Sequence, residues 1–308
     1  MKKVLLASTA LVATSGFAAA QGIELSGNAE MGIFDDGVDS AQFFSSVDVR
    51  FSMSGETDNG LTFGASIDLD DIGDMAIAGN DPSGNTGGEF ADYSVFISGS
   101  FGTLTMGDTD GALDFAMSEV AGGTAIADDH TAHDGYNGNS ALDGTYDGQI
   151  ARYDYSFGDF AFAVSAELDD TGAGDEVIGV GGRWSGSLGG ANDLAVGLGY
   201  QDNGVTDVTG VSVRAGFGDL SGAINYSDYS TGGDHTAVGV TYAMGAIVLH
   251  ANWGEYSGCG GGACTDGDGV GLVANYDLGG GAIVAFGYGD SGTGGSPETW
   301  SLGLRMDF

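Results

Sequence analysis

The last eleven residues of the chain, 298–308, alternate large apolar side chains with polar or small ones. Successive side chains of a β-strand point to opposite faces, so this segment has one wholly apolar face and one polar face. A strand of this kind is typical of a transmembrane β-barrel, which shows one face to lipid and the other to a watery lumen. An edge strand of a soluble sandwich also alternates, but it rarely carries so much apolar surface. The apolar residues are Trp300, Leu302, Leu304, Met306 and Phe308.

The first twenty residues predict export. A short basic segment at 1–3 is followed by an apolar stretch at 4–12 and by the small residues Ala18, Ala19 and Ala20 before Gln21. This order is that of a cleaved secretory signal, and the apolar stretch is too short to span a bilayer as a helix. We therefore expect residues 1–20 to be a signal peptide and residues 21–308 to form a single transmembrane barrel domain.

The charge of the chain is strongly one-sided, with 44 acidic residues against 7 lysines and arginines. Both lysines, Lys2 and Lys3, lie in the expected signal, so the exported part has only five basic residues, all arginine. Such acidity argues against a nucleic acid as partner, because phosphate backbones are held by lysine and arginine. A hydrophobic content of 42% argues against disorder.

The exported part contains no apolar run long enough for a membrane helix; runs such as 160–164 and 282–286 are among its longest. Alternating strands keep one face compatible with lipid at low average hydrophobicity. The sequence therefore predicts an all-β fold, a transmembrane antiparallel β-barrel of about sixteen strands. The predicted strands are 23–34, 43–54, 61–69, 90–98, 103–107, 150–157, 160–169, 176–185, 193–202, 207–217, 220–229, 235–243, 246–256, 269–277, 282–290 and 298–308.

Three short motifs predict tight hairpins: Phe101-Gly102-Thr103-Leu104, Phe157-Gly158-Asp159-Phe160 and Phe217-Gly218-Asp219-Leu220. Glycine at the first position of a two-residue turn favours the twist that antiparallel strands require. Longer, acidic, glycine-rich connections alternate with these short turns. This asymmetry indicates a barrel with one short-turn rim and one long-loop rim.

One connection, about 108–149, is much longer than the rest and lacks sustained alternation. It is acidic and contains no lysine or arginine. Loops of this length are usually functional. A sixteen-stranded barrel encloses a lumen wide enough for water, which a loop folded inward would narrow. We expect this third long loop to fold into the lumen and to bring Asp108, Asp110, Asp114 and Glu119 to a constriction.

Four segments carry a resemblance to a known family: 23–32 (IELSGNAEMG), 51–66 (FSMSGETDNGLTFGAS), 104–108 (LTMGD) and 276–282 (YDLGGGA). In these, the chain is similar to general diffusion porins of the alphaproteobacterial outer membrane. The resemblance implies a homotrimeric, non-enzymatic channel without a required cofactor, in contact with outer-membrane lipid and lipopolysaccharide. It also implies a constriction of basic wall residues facing acidic loop residues, and a C-terminal strand, ending at Phe308, that the barrel-assembly machinery recognises.

Each of the five arginines lies, by strand parity, on the face opposite the apolar series. A charge on the lipid face costs about 2–4 kcal/mol at the membrane midplane, so inward placement is expected of any stable barrel. We favour Arg50 and Arg152 as the basic wall. Asp48 lies on the same face as Arg50 and reduces the positive charge there. The remaining lumen-facing arginines are Arg183, Arg214 and Arg305. With few arginines facing an acidic loop, we expect a passive, cation-selective channel for small hydrophilic solutes.

Other polar residues give weaker signals. Cys259 and Cys264 predict a disulfide in an exported loop rather than half of a zinc site. Asp128, Asp129 and Asp134 offer the oxygen ligands that Ca²⁺ prefers. His130 and His133 lie beside these acids, but no nucleophile motif supports catalysis. The alternative function is an outer-membrane or exported β-protein acting as adhesin, rim enzyme or calcium-binding structural protein, and conductance across a planar bilayer would separate the two classes.

Overall fold

The protein is described here by a computed structural model. The structure describes residues 22–38, 40–69, 92–127, 140–146, 148–169, 171–172, 174–189, 192–259, 264–290 and 298–308. The expected signal peptide, 1–20, lies outside these residues. Within them, no helix is long and apolar enough to cross a membrane.

Sixteen antiparallel strands form one closed barrel, in which each strand pairs with the next along the chain and β16 pairs with β1. A single short helix, α1 (Ala112–Ala116), interrupts the described part of the connection between β5 and β6. The strands are β1 (Gly22–Asp35), β2 (Gln42–Glu56), β3 (Thr62–Leu69), β4 (Asp92–Gly99), β5 (Gly102–Asp108), β6 (Gln149–Phe157), β7 (Phe160–Glu167), β8 (Val177–Gly189), β9 (Asn192–Asp202), β10 (Asp207–Phe217), β11 (Leu220–Tyr229), β12 (Asp234–Met244), β13 (Ile247–Ser257), β14 (Gly267–Gly279), β15 (Ala282–Asp290) and β16 (Glu298–Asp307).

The two terminal strands close the barrel. Their register pairs Asn28 with Asp307 at one end and Asp35 with Trp300 at the other. The backbone N–H of Phe308 adds one more hydrogen bond, 2.9 Å long, to the carbonyl oxygen of Gly27. Closure satisfies the backbone groups that a free strand edge would leave exposed to lipid.

The alternation of side chains separates an outer apolar face from a lumenal face. In β7, Phe160, Phe162 and Val164 are exposed on the outside, whereas Ala161 and Ala163 are buried on the inside. Buried polar side chains such as Asn225 and Ser212 show the same inward placement in other strands. The sequence prediction of a sixteen-stranded antiparallel barrel is confirmed.

Two of the three predicted glycine turns are confirmed. Gly158 and Gly218 begin two-residue turns with φ of 58° and 65°, a backbone conformation that favours glycine. The prediction for 101–104 is wrong, because β4 and β5 are joined by Ser100 and Phe101. The reason is the register: Ser98 pairs with Thr103, and their hydroxyl oxygens lie 3.0 Å apart.

The connections divide between two rims. Short turns join β4 to β5, β6 to β7, β10 to β11, β12 to β13 and β14 to β15, whereas the connections from β3 to β4 and from β5 to β6 are long. The short-turn rim also holds the two termini of the barrel. The long connection after β5, which we call the inner loop (residues 109–148), is described except at 128–139 and 147.

Candidate pore constriction

The inner loop enters the lumen through α1, whose two sides meet different surroundings. Ala112, Leu113 and Ala116 are fully or almost fully buried against the barrel wall. Asp114 and Phe115 lie between them in sequence and are partly exposed. Because residues three and four apart share a face of a helix, one side of this turn packs on the wall and the other is partly exposed. The inward-folded loop predicted from the sequence is confirmed.

Backbone N–H groups of the inner loop donate to side chains on widely separated strands. The described part of the loop therefore follows the inside of the wall from β6 around to β1, and none of these hydrogen bonds is made with β2–β5. The bonds are Ala112 to Ser165 Oγ (2.8 Å), Ser118 to Ser212 Oγ (2.8 Å), Thr124 to Asn275 Oδ1 (3.1 Å) and Ala127 to Glu30 Oε2 (3.1 Å).

Inward-facing glycines allow this loop backbone to lie directly on the wall. A Cβ atom on Gly181 would overlap the carbonyl oxygen of Ala112, and one on Gly239 would overlap the carbonyl oxygen of Val120. Neither oxygen belongs to a flexible side chain that could rotate away. The close approach of loop and wall therefore requires glycine at these two wall positions.

The returning end of the inner loop is held by a buried carboxylate. Glu167, in β7, is 2% exposed and accepts hydrogen bonds from three loop N–H groups. These come from Thr145 (3.2 Å), Tyr146 (3.0 Å) and Gly148 (2.9 Å). Hydrogen bonds to an ionised acceptor are stronger than those between neutral groups, so Glu167 fixes the loop near its end.

A second wall contact joins the two ends of the described loop to β9. Asp143 accepts a hydrogen bond of 2.7 Å from the N–H of Gly111 and another from the side chain of Gln201. The side-chain amide oxygen of Gln201 accepts a hydrogen bond of 3.0 Å from the N–H of Leu142. The start of α1 and the returning chain are thus tied to one another and to the wall.

Arg152 and Arg183 bind the inner loop rather than standing free in the pore. Arg152 donates to the carbonyl oxygen of Asp110 at 2.7 Å, and Arg183 donates to the carbonyl oxygen of Phe115 at 3.3 Å. Their guanidinium carbons lie 4.9 and 4.5 Å from the centre of the Phe115 ring. Only 13% of the Arg152 side chain is exposed.

The other three arginines have different surroundings. Arg50, with half of its side chain exposed, forms an ion pair with Asp68 on the neighbouring strand. Arg305 binds Glu30 at 2.9 Å and Asp307 at 3.2 Å. Arg214 is exposed in β10, and its side chain makes no hydrogen bond or ion pair with the described part of the chain. All five arginines share the parity of lumenal residues.

The predicted acidic residues do not all reach the pore. Asp110 has a side chain that is 68% exposed, and Glu119 is also exposed on the inner loop. Asp108 pairs with Gln149 in the outward-facing series of Met106, so its register does not place it in the constriction. Asp114 and Asp110 are close enough to interact electrostatically.

Burial and crowding change the charge of two loop carboxyls. Burial, together with the neighbouring charges of Asp110, Glu119 and Asp143, raises the pKa of Asp114 to about 7 against the opposing effect of Arg152. Burial also raises the pKa of Asp143 to about 6, although its hydrogen bonds to Gly111 and Gln201 oppose the shift. Asp114 is therefore only partly ionised near neutral pH.

The remaining predicted sites are a disulfide and a candidate Ca²⁺ site. Cys259 and Cys264 form a disulfide with a Cα–Cα distance of 5.3 Å in the connection from β13 to β14. Asp128, Asp129 and Asp134, the candidate Ca²⁺ ligands, lie outside the described residues. In the ranges that the structure describes, no three His, Cys, Asp or Glu side chains are grouped so as to hold a metal ion.

Comparison with known proteins identifies the family of this barrel. The family described as Gram-negative porin matches residues 7–304. The chain belongs to the Gram-negative porin family. The porin of Rhodobacter capsulatus is 30% identical over 93% of this chain and 100% of its own length. A porin structure refined at 1.8 Å resolution is 26% identical, with a TM-score of 0.69, over 93% of this chain and 100% of that one. A triple mutant of Rhodopseudomonas blastica porin shares the fold, with 22% identity, the same coverage and a TM-score of 0.62.

This porin is therefore an outer-membrane general diffusion channel, a passive, water-filled passage for ions and small hydrophilic solutes. Members of the family are channels and not enzymes, and they generally need no cofactor. The alternative of a rim enzyme is wrong, because the family consists of channels and not enzymes. The family assignment gives no support to the alternatives of an adhesin or a calcium-binding structural protein.

Several residues that position the inner loop escaped the sequence analysis. Glu30, Glu167 and Gln201 are polar residues on the lumenal face, so strand parity could have identified them as inward-facing. Parity could not show which of them receive hydrogen bonds from the loop. Phe115 carried no signal, because an aromatic residue in an irregular segment has no strand partner to define its direction.

Proposed function

We propose that this porin conducts cations in preference to anions, through the opening between the inner loop and the β2–β5 wall. The observation that carries the proposal is the contrast between exposed acids and covered bases. The side chain of Asp110 is 68% exposed, whereas only 13% of the Arg152 side chain is exposed. A narrow passage lined by accessible carboxylates attracts cations, because the low-dielectric walls concentrate the field of those charges.

The opposite wall adds little positive charge. Arg50 is half exposed, but it is paired with Asp68, and Asp48 shares its lumenal face. The exposed Arg214 lies on β10, five strands away from β5 in the barrel. The balance of accessible charge along the opening is negative.

Reversal potentials across a planar bilayer test this proposal. Replacing Asp110 and Asp114 by Asn together with Glu119 by Gln should shift the reversal potential towards anions, whereas Arg50→Gln should shift it towards cations. Selectivity should be sharper near 0.1 M salt, where the Debye length is about 10 Å, than at 1 M, where it is about 3 Å. Anion selectivity of the unmodified protein at low salt would contradict the proposal.

We also propose that the porin assembles as a homotrimer, as its family resemblance implies and as closed symmetry favours for identical subunits. The exposed apolar belt, which includes Val47 and Phe63 as well as Phe162, offers surface both for neighbouring subunits and for outer-membrane lipid and lipopolysaccharide. An unheated sample should migrate well above the monomer on a gel. A monomer by both gel and light scattering in mild detergent would contradict the trimer.

Calcium binding by Asp128, Asp129 and Asp134 remains a prediction from the sequence, since only the type of side chain supports it. Titration calorimetry with CaCl₂ on the unmodified protein and on a variant with all three residues replaced by Asn would test it. Heat of binding that persists in the variant would place any Ca²⁺ elsewhere on this acidic protein.

A further inference from the structure

Two arginines from different strands converge on one aromatic ring in the constriction. Arg152 comes from β6 and Arg183 from β8, and their guanidinium carbons lie 4.9 and 4.5 Å from the centre of the Phe115 ring. Guanidinium groups remain charged at every accessible pH, so the two side chains repel one another. The face of an aromatic ring is negative and attracts cations, which offsets this repulsion.

Each arginine also has a second contact with the inner loop. Arg152 donates to the carbonyl oxygen of Asp110, and Arg183 donates to the carbonyl oxygen of Phe115 itself. Arg152 further lies 3.6 Å from Asp154 and 3.9 Å from the carboxylate of Asp110. The ring, two carbonyl groups and Asp154 thus hold both charges on the wall side of the loop.

We propose that Phe115 is a positioning residue of the channel, which keeps Arg152 and Arg183 against the wall and so withholds their charges from the solute path. This inference rests on the proposed cation selectivity, because it explains how a pore with lumenal arginines presents mainly acids to solutes. Loss of the ring would leave two like charges beside a cavity, with the lumen as the space into which they move. Replacing Phe115 by another uncharged residue that lacks the aromatic ring would then change ion selectivity.

The main experiment is Phe115→Leu, which keeps an apolar side chain but removes the aromatic face. At low salt, the ratio of cation to anion permeability should fall about twofold or more, since accessible guanidinium groups in the pore attract anions. Phe115→Tyr retains the ring face and should keep the ratio of the unmodified protein. If Phe115→Leu keeps the original ratio, or if Phe115→Tyr loses it equally, the proposal is wrong.

Phe96, on the lumenal wall, offers a matched control for Phe115. Phe96, in β4, points inward between Gly64 and Thr105 and has no guanidinium group over its ring among the described residues. Phe96→Leu should leave the permeability ratio unchanged. An equal shift in Phe96→Leu would show that loss of any lumenal aromatic residue alters the pore, and would overturn the role given to Phe115.

A double variant separates positioning from general destabilisation. If the ring acts through Arg183, the effect of Phe115→Leu on the permeability ratio should shrink by about half or more in an Arg183→Met background, because interacting residues are not additive. Effects that add without change would contradict the inference. The heat stability of the folded barrel on a gel should be similar in Phe115→Leu and Phe96→Leu.

Chemical labelling tests the same arrangement without any variant. Phenylglyoxal should modify Arg50 and Arg214 in the folded porin faster than Arg152 and Arg183, as peptide mass spectrometry would show. Equal labelling of all four would overturn the inference even if the Phe115→Leu protein failed to fold. Anion selectivity of the unmodified protein would instead contradict the proposed function, while the change between Phe115→Leu and Phe115→Tyr would still test the position of the arginines.

Discussion

The carboxylate of Glu30, in β1, accepts a hydrogen bond of 3.1 Å from the backbone N–H of Ala127 in the inner loop. The other carboxylate oxygen binds Arg305, its cross-strand neighbour in β16, at 2.9 Å. One buried side chain therefore connects the loop to the seam where the barrel closes. Because both terminal strands are needed to build this contact, this part of the loop acquires its final position only in a closed barrel.

Removing that carboxylate should loosen the inner loop. Glu30→Ala leaves the Ala127 N–H without this acceptor and Arg305 with Asp307 as its remaining partner. Loss of a hydrogen bond to a charged group costs roughly 1.5–3 kcal/mol. Glu30→Gln keeps an oxygen acceptor and should be milder. Single-channel recordings should show frequent partial closures in Glu30→Ala and few in Glu30→Gln. Few partial closures in both variants would mean that other contacts hold the loop without Glu30.

The cation selectivity should depend on pH through Asp114. Its pKa is raised to about 7, so the carboxyl is mostly neutral at pH 6 and mostly charged at pH 8. The cation permeability ratio should therefore rise between pH 6 and 8 and fall as the pH is lowered through 7. In the folded state Asp114 holds its proton more tightly than in the unfolded chain, so its contribution to stability declines as pH rises from about 4 to 7. Asp114→Asn is the control and should lack the step near pH 7.

Packing of the loop on the wall makes a separate prediction. Gly239→Ala places a Cβ against the carbonyl oxygen of Val120, and overpacking of this kind costs typically about 1–3 kcal/mol. The loop should move towards the lumen, so the single-channel conductance should fall. Gly222→Ala, on the outward face of β11, meets the Gly239 carbonyl oxygen at a milder 3.3 Å and should retain the original conductance. A lower conductance in Gly222→Ala alone would contradict the assignment of faces.

Paired carboxylates at the long-loop rim predict stabilisation by salt. Like charges directly opposite one another on antiparallel strands are destabilising, and salt screens their repulsion. The temperature at which the folded barrel unfolds on a gel should rise between 0.01 and about 0.5 M NaCl. Asp228→Asn together with Asp268→Asn should reduce that rise, whereas a salt-independent unfolding temperature in the unmodified protein would contradict the prediction. The pairs are Asp202–Asp207, Asp228–Asp234, Glu255–Asp268 and Asp290–Glu298.

The barrel could be predicted from the sequence because its strands are read from a period of two. The outward series Val211, Val213 and Ala215 in β10, for example, follows from side-chain direction alone, and the structure begins and ends that strand at the predicted residues. The prediction at 101–104 was wrong because Gly102 is a stronger turn signal in the sequence than Ser100 or Phe101. Gly102 has a φ of 112°, but it lies beside the turn and not in it. Only the cross-strand register distinguishes these two positions.

The constriction could be predicted only as a location. Acid content and length identified the inner loop, but the contacts of Phe115, Glu167 and Gln201 join segments far apart in the sequence. Such contacts depend on the closed geometry of the barrel rather than on local pattern. For Arg152, strand parity predicts that the side chain points inward. It does not predict that the inner loop covers the side chain.

The backbone and the side chain of Phe308 have different roles. The backbone N–H extends the seam by one hydrogen bond to Gly27, while the ring is 79% exposed on the outside of the barrel. The ring therefore adds little packing to the finished barrel, and a strong effect of its removal must arise before folding is complete. Phe308→Asp should lower the yield of folded porin in the outer membrane severalfold, with unchanged conductance of the molecules that do assemble.

Phe308→Tyr is the matched control, because it keeps the aromatic ring at the same exposed position and should assemble normally. Yield is measured by unheated gels of outer-membrane fractions, and conductance by single-channel recording. Phe308 directly follows β16 and continues the outward series of Leu302, Leu304 and Met306, which argues against a direct part in the pore. Normal yield of Phe308→Asp with altered conductance would therefore contradict both the role in assembly and the outward orientation of the residue.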